Sequence, residues 1–222
     1  MAFRQSNPGP FFWILIGFVL ATLVVAPAAW ALSAQDRPGQ AGGSIDTALL
    51  ELPWPRQRVR ETEVGRYPVQ WREKANRREG IFAGVTFSAP LERQAVWDLA
   101  ADYGDIGAKT PGVTAVRVLE QSDERQVIEV DAKVLWKTFT LRFEVERDPP
   151  QVMRFRLTDA RLGEYRGVCR FEQTPDGTAV ELATWLKPAR PVPAGLILLV
   201  ERMTFLQGVK GFLEACDRRA GV

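Results

Sequence analysis

Ile128-Glu129-Val130-Asp131-Ala132-Lys133-Val134 and, shortly after, Phe139-Thr140-Leu141-Arg142-Phe143-Glu144-Val145-Glu146 alternate apolar and polar residues at every step. Alternation with period two marks a half-buried antiparallel strand with one wet face. The first run continues to Trp136 on its apolar side, and Met153, Phe155 and Leu157 then oppose Arg154, Arg156 and Thr158. Strands near 165–174 and 178–186 follow the rule more loosely. Their inward candidates are Tyr165, Cys169 and Phe171, then Val180, Leu182, Thr184 and Leu186. Turn signals at Ser122-Asp123, Asp148-Pro149-Pro150 and Pro175-Asp176-Gly177 separate the strands. Between Trp136 and Lys137 no Gly or Pro marks the turn, so that boundary stays open.

A long helix follows the strands. Pro193 suits its first turn, where the missing N–H costs nothing. Leu196, Leu199, Met203, Leu206, Val209, Leu213 and Cys216 recur at steps of three or four and predict one apolar stripe. Glu201, Arg202, Gln207, Lys210, Glu214 and Asp217 fall elsewhere and are expected to stay wet. At about 1.5 Å per residue such a helix crosses a whole sheet, and Gly221 suits its stop. Upstream, Pro90 opens a helix carrying Val96, Trp97 and Leu99, and Asp102 to Pro111 forms a second short turn or helix.

This order of elements resembles the helix-grip fold of the START-like superfamily, which includes polyketide cyclases and coenzyme Q-binding proteins. The resemblance is carried by Val85-Thr86-Phe87-Ser88-Ala89-Pro90, Val96-Trp97-Asp98-Leu99, the segment from Asp102 to Pro111-Gly112-Val113, the strand Ala115–Glu120, Tyr165-Arg166-Gly167 and the terminal helix. It implies an α+β fold in which a curved seven-stranded antiparallel sheet wraps around a long C-terminal helix, with two short helices after the first strand. It also implies an apolar hollow between sheet and helix, rimmed by the loops 103–112 and 159–164. Fold analogy of this kind leaves function open.

Composition narrows the chemistry. The 222 residues contain no His, which removes imidazole bases, Ser-His-Asp and Cys-His nucleophiles and His-ligated zinc. No glycine loop of either nucleotide-binding pattern occurs, and two Cys are too few for a thiolate metal site. Cys169 and Cys216 read either as a disulfide or as two small buried hydrophobes. Asp98, Asp102 and Asp105 share a helical spacing, but no calcium-loop pattern accompanies them, so a solvated helix end is the plainer reading. Neither metal nor cofactor is implied. With 29 basic and 27 acidic residues the charge is too balanced for nucleic acid.

Three segments are expected: residues 1–31 as signal peptide or membrane anchor, 32–78 as tether and basic extension, and 79–219 as the START-like domain. Arg4 precedes the unbroken apolar run Phe11–Val25, and Ala29-Trp30-Ala31 has the small-x-small pattern of a cleavage site. Phe11 to Leu32, about 22 residues, is also long enough to span a bilayer. Both versions place the domain outside the cytoplasm, in the periplasm or on the membrane. Between Arg56 and Arg78 eight basic residues meet three acidic ones, which suits contact with anionic lipid headgroups, an added edge strand or an ordinary wet face.

The inward set Trp97, Trp136, Phe139, Leu141, Phe143, Met153, Phe155, Tyr165, Cys169, Leu182, Thr184, Met203 and Leu206 supplies the candidate cavity lining. Singly, each is core packing. Together, in this architecture, they fit an apolar pocket with few polar handles, Tyr165, Thr184 and Cys169 being able to orient a carbonyl or hydroxyl. The leading expectation is a non-catalytic carrier of a hydrophobic small molecule such as a lipid, quinone or polyketide-like compound. A cyclase or aromatase type of enzyme, with Tyr165, Asp or Glu managing protons, and a structural envelope domain are the alternatives.

Overall fold

A computed structural model describes residues 44–76, 78–102, 113–134, 137–159, 163–189 and 191–221. Among them an antiparallel sheet of nine strands runs in the order β1-β2-β3-β9-β8-β7-β6-β5-β4. The strands are β1 (Arg58–Val64), β2 (Tyr67–Asn76), β3 (Gly80–Ala89), β4 (Val113–Gln121), β5 (Arg125–Val134), β6 (Lys137–Asp148), β7 (Val152–Leu157), β8 (Gly163–Thr174) and β9 (Gly177–Pro188). Helix α1 (Arg93–Ala101) follows β3, and α2 (Ala194–Ala220) closes the chain. The architecture is the expected α+β helix-grip arrangement, with nine strands where seven were predicted. A second short helix, expected over 102–111, lies outside the described residues.

The two additional strands come from the extension predicted over 32–78. Val69, Trp71 and Glu73 alternate inward on β2, which pairs with β3 through Trp71↔Val85. Residues well before 79 therefore belong to the folded unit. β1 is the edge and is exposed along almost its whole length, its Arg and Glu side chains blunting it against further pairing. Arg60 reaches Glu73, Arg66 reaches Asp217 of α2 and Lys74 reaches Glu79.

Alternation predicted the inner face of the meander. Ile128, Val130, Leu141, Phe143, Val145, Met153, Phe155, Leu157, Tyr165, Cys169, Phe171, Val180, Leu182 and Leu186 are all buried in one cluster with α2. β8 and β9 are also covered on their outer face, which explains their looser pattern. There Leu50 and Trp54 pack on Phe82, Val168, Ala183 and Trp185 as a second, smaller core. Ile45 N donates to Glu146 Oε1 at 3.0 Å and fixes the start of this cover.

Helix α2 begins after Pro193 and ends at Gly221, whose φ of 76° is the left-handed stop a glycine allows. Its inner face differs from the predicted stripe in the N-terminal half. The buried residues are Ile197, Glu201, Phe205, Gly208, Val209, Phe212, Leu213, Ala215 and Cys216. Leu196, Leu199 and Met203 are instead 37, 45 and 55% exposed. The first turns, Ala194–Val200, are apolar on every side, so hydrophobicity could not choose a face there. One residue of phase, about 100° of rotation, separates the two readings.

Candidate functional site

Helix α2 lies across the concave face, and two ring pairs set its height. Phe205 meets Trp71 of β2 at 5.5 Å between centroids, and Phe212 meets Phe87 of β3 at 5.9 Å. One turn before Phe205 the same face presents Glu201, which is 2% exposed. Beneath it lies Thr184 of β9, whose hydroxyl donates to the Ala83 carbonyl at 3.2 Å and stands 3.5 Å from Glu201 Oε1. Glu201 Oε2 is buried with no hydrogen-bond partner among the described residues. Tyr165 of β8 completes the group, Glu201 and Thr184 both acting on its phenol.

The electrostatics follow from burial. Removal from water pushes the Glu201 carboxyl up to about 8, the Thr184 hydroxyl opposing this weakly. Near neutral pH the group is therefore largely a neutral acid, able both to donate and to accept. Burial, then the neighbouring Glu201, raises Tyr165 well above its ordinary value, so its phenol keeps its proton. A threonine hydroxyl carries only one hydrogen. That hydrogen is shared between the Ala83 carbonyl and Glu201 Oε1, which leaves the carboxyl proton to Oε2. The result is a small, uncharged polar cluster in an otherwise apolar interior.

The predicted lining residues take several different positions. Leu141, Phe143, Met153, Phe155, Tyr165, Cys169, Leu182 and Thr184 do converge on the concave face. Trp97 belongs to the same core but packs edge-on against Phe171 under α1, at 5.6 Å between centroids. Leu206 is half-buried against the cluster. Met203 points outward and is removed from the set by the helix phase described above. The side chains of Trp136 and Phe139 lie outside the described residues, as does most of the loops expected to rim a mouth.

The expected hollow is not open against this lining. Leu141, Phe143 and Leu182 have 0% exposure, so no water-sized space touches them. They belong to one buried cluster that includes Ile197, Phe205 and Val209. A cleft of about 390 Å³ does occur, but where residues 44–46 cross the ends of β7 and β8, and its Arg156 and Arg166 are paired with Glu144 and Glu164.

Other expectations also meet the geometry here. Cys169 and Cys216 are both free and buried, so they form no disulfide. Burial holds both thiols protonated, Cys216 pushed up to about 12. Asp98 faces Arg219 at 3.8 Å, and no metal-binding group of His, Cys, Asp and Glu occurs among the described residues. Sequence reasoning missed Glu201. Counting back from Cys216 through Phe212 and Phe205 in helical steps reaches it, a signal the all-apolar first turns obscured.

Residues 89–212, more than half of the chain, match the family described as polyketide cyclase / dehydrase and lipid transport. No curated protein matches the sequence. Among solved structures, a STAR-related lipid transfer protein from Xanthomonas axonopodis superposes with a TM-score of 0.58 at 13% identity, over 72% of this chain and 98% of its own. The di-domain ARO/CYC StfQ of the steffimycin biosynthetic pathway gives 0.51 at 10% identity, covering 98% and 97%. A START superfamily protein from Mycobacterium smegmatis gives 0.50 at 10% identity, covering 60% and 97%. At these identities the likeness speaks for the fold.

Proposed function

We propose, because the chain belongs to the polyketide cyclase / dehydrase and lipid transport family, that it binds and transfers a hydrophobic small molecule between its sheet and α2. The observation that carries this reading is the Glu201–Thr184–Tyr165 cluster, an unfilled polar handle inside an apolar interior. A core built for stability alone would place an aliphatic residue at 201. The closed packing means that a ligand enters by displacing α2 from the sheet rather than by filling a standing void. Burial of its apolar surface, about 25 cal/mol per Å² before binding costs, then supplies the affinity.

Native mass spectrometry of the purified full chain tests this. A retained apolar compound, or a raised melting temperature with quinone or fatty-acyl probes, is the expected result. Absence of both would overturn it. The second reading, an enzyme of cyclase or aromatase type, is favoured by Glu201 itself, a buried carboxyl able to exchange a proton near neutral pH. Conversion of the retained compound to a new product on incubation would separate enzyme from carrier.

The carrier reading includes export, supported by the Phe11–Val25 run and Ala29-Trp30-Ala31. No helix among the described residues is long and apolar enough to cross a membrane, and residues 1–43 lie outside them. N-terminal sequencing of the mature protein is expected to begin at Leu32 if the segment is cleaved, and at Met1 or Ala2 if it is an anchor. Membrane contact through Arg56 to Arg78 is part of the same reading. Arg60, Arg66 and Lys74 are engaged by Glu73, Asp217 and Glu79, which leaves fewer than the eight basic residues for headgroups.

A further inference from the structure

We propose that Glu201, supported by Thr184 and Tyr165, is a specificity subsite that takes the uncharged oxygen headgroup of an apolar ligand, a ketone, ester or alcohol, and turns away carboxylates. The inference rests on the binding role proposed above and deepens it. Its ground is geometric. Oε1 is turned to Thr184, while Oε2 is buried and lacks a partner, so one oxygen of the carboxyl is committed to the protein and the other is available. A buried polar atom left unmatched destabilises the fold, and a ligand that matches it recovers that cost.

Charge decides which headgroup fits. The elements packed most closely on α2 are β1, β2, β3 and α1, with Thr184 of β9 beneath Glu201, and β3 carries no charged residue. On β2 the inward carboxylate Glu73 is already held by the Trp71 indole N–H at 2.8 Å and by Arg60 of the otherwise exposed β1 at 3.9 Å. Asp98 of α1 is exposed beside Arg219. The titratable group set against Glu201 on β8 is the neutral Tyr165 phenol. Among the described residues no cation is paired with Glu201, so nothing there compensates an incoming anion, which would also stand against a carboxyl oxygen. A neutral carboxyl, by contrast, donates to a carbonyl and can both donate to and accept from an alcohol.

The test uses the full chain and displacement of the uncharged dye N-phenyl-1-naphthylamine by twelve- or thirteen-carbon probes: dodecane, 2-tridecanone, dodecanol, laurate and dodecylamine. Wild type is expected to bind the ketone and the alcohol about tenfold or more tighter than dodecane, the effect of one buried hydrogen bond, with laurate weaker than either. Glu201→Leu should keep dodecane binding and lose the preference for ketone and alcohol. Glu201→Gln should retain it, because an amide also donates and accepts. Thr184→Val gives a second readout, an expected partial loss of the same preference. An unchanged preference in Glu201→Leu, or dodecylamine as the tightest probe, overturns the subsite and leaves the carrier role standing. Failure of every probe to displace the dye from wild type overturns the carrier role, and the subsite with it.

Discussion

Replacing Glu201 with leucine is expected to make the protein more stable at alkaline pH, the reverse of an ordinary core substitution. The sign follows from proton linkage. The Glu201 carboxyl titrates at about 8 in the folded chain against 4.5 ordinarily. Between those values the unfolded chain has released its proton and the folded chain still holds one. Stability therefore falls as pH rises across that window and levels off above it. A shift of this size corresponds to several kcal/mol, on the order of 5. Glu129 and Asp131 work in the opposite direction. Hydrogen bonds from Arg117 and Arg142 to Glu129, and from Thr140 and Arg117 to Asp131, lower both carboxyls, so their contribution is lost as pH falls. Wild type should thus be most stable in mildly acidic solution. In Glu201→Leu the alkaline decline should disappear and the optimum should move upward. Urea unfolding at pH values from about 5 to about 9 reads this directly. Near pH 5 the two proteins should differ by about 1 kcal/mol or less, since leucine gives up one weak contact to Thr184 but leaves no orphaned oxygen. Near pH 9 the variant should lead by roughly 2–4 kcal/mol. Parallel curves would mean that Glu201 is not buried as a neutral acid. A group that lowers stability at this position fits a binding subsite, where stability is commonly traded for function.

The same residue shows where sequence and structure part. Strand alternation has a period of two, and a one-residue error would turn every apolar side chain to water. That is why Ile128, Leu141, Phe143, Phe155 and Leu182 were placed inward from their spacing alone. Helix phase is less constrained when one half is apolar all round. Val209, Leu213 and Cys216 were legible because Lys210, Glu214 and Asp217 alternate with them, whereas Ala194–Val200 offers no such contrast. Glu201 was assigned to the wet face because it is charged in isolation. Its neutral form exists only through burial in the folded chain, against the opposing hydrogen bond of Thr184. The outer core was illegible for a similar reason. Nothing in Leu50 or Trp54 announces that they cover Phe82 and Trp185, since that contact depends on a fold-back across a sheet not yet formed.

Gly167 carries the second large effect, because it is the place where the sheet makes room for the site. In register, Phe155, Gly167, Thr184 and Ala83 form one row across β7, β8, β9 and β3. The Phe155 ring lies directly over Gly167, where an added Cβ would overlap three of its ring atoms. Phe155 has little freedom to retreat, being 5% exposed with Tyr165 on its flank at 5.9 Å between centroids. A glycine inside a strand usually weakens it, so its presence here marks a close approach. Gly167→Ala should therefore destabilise by about 3 kcal/mol, the upper range for overpacking a filled core, lowering the melting temperature by roughly 6–12 °C. Steric origin is checked by a double-mutant cycle. Phe155→Leu alone loses packing, but in combination with Gly167→Ala it should recover at least about 1 kcal/mol relative to the sum of the single changes, since neighbours that share one space are not additive. Additive costs would place the strain in the β8 backbone instead of the ring. The displaced ring has Tyr165 on its flank and shares its row with Thr184 one strand beyond Gly167. A destabilised Gly167→Ala protein that still folds should therefore also lose its distinction between ketone and hydrocarbon, tying the shape of the sheet to the chemistry above it.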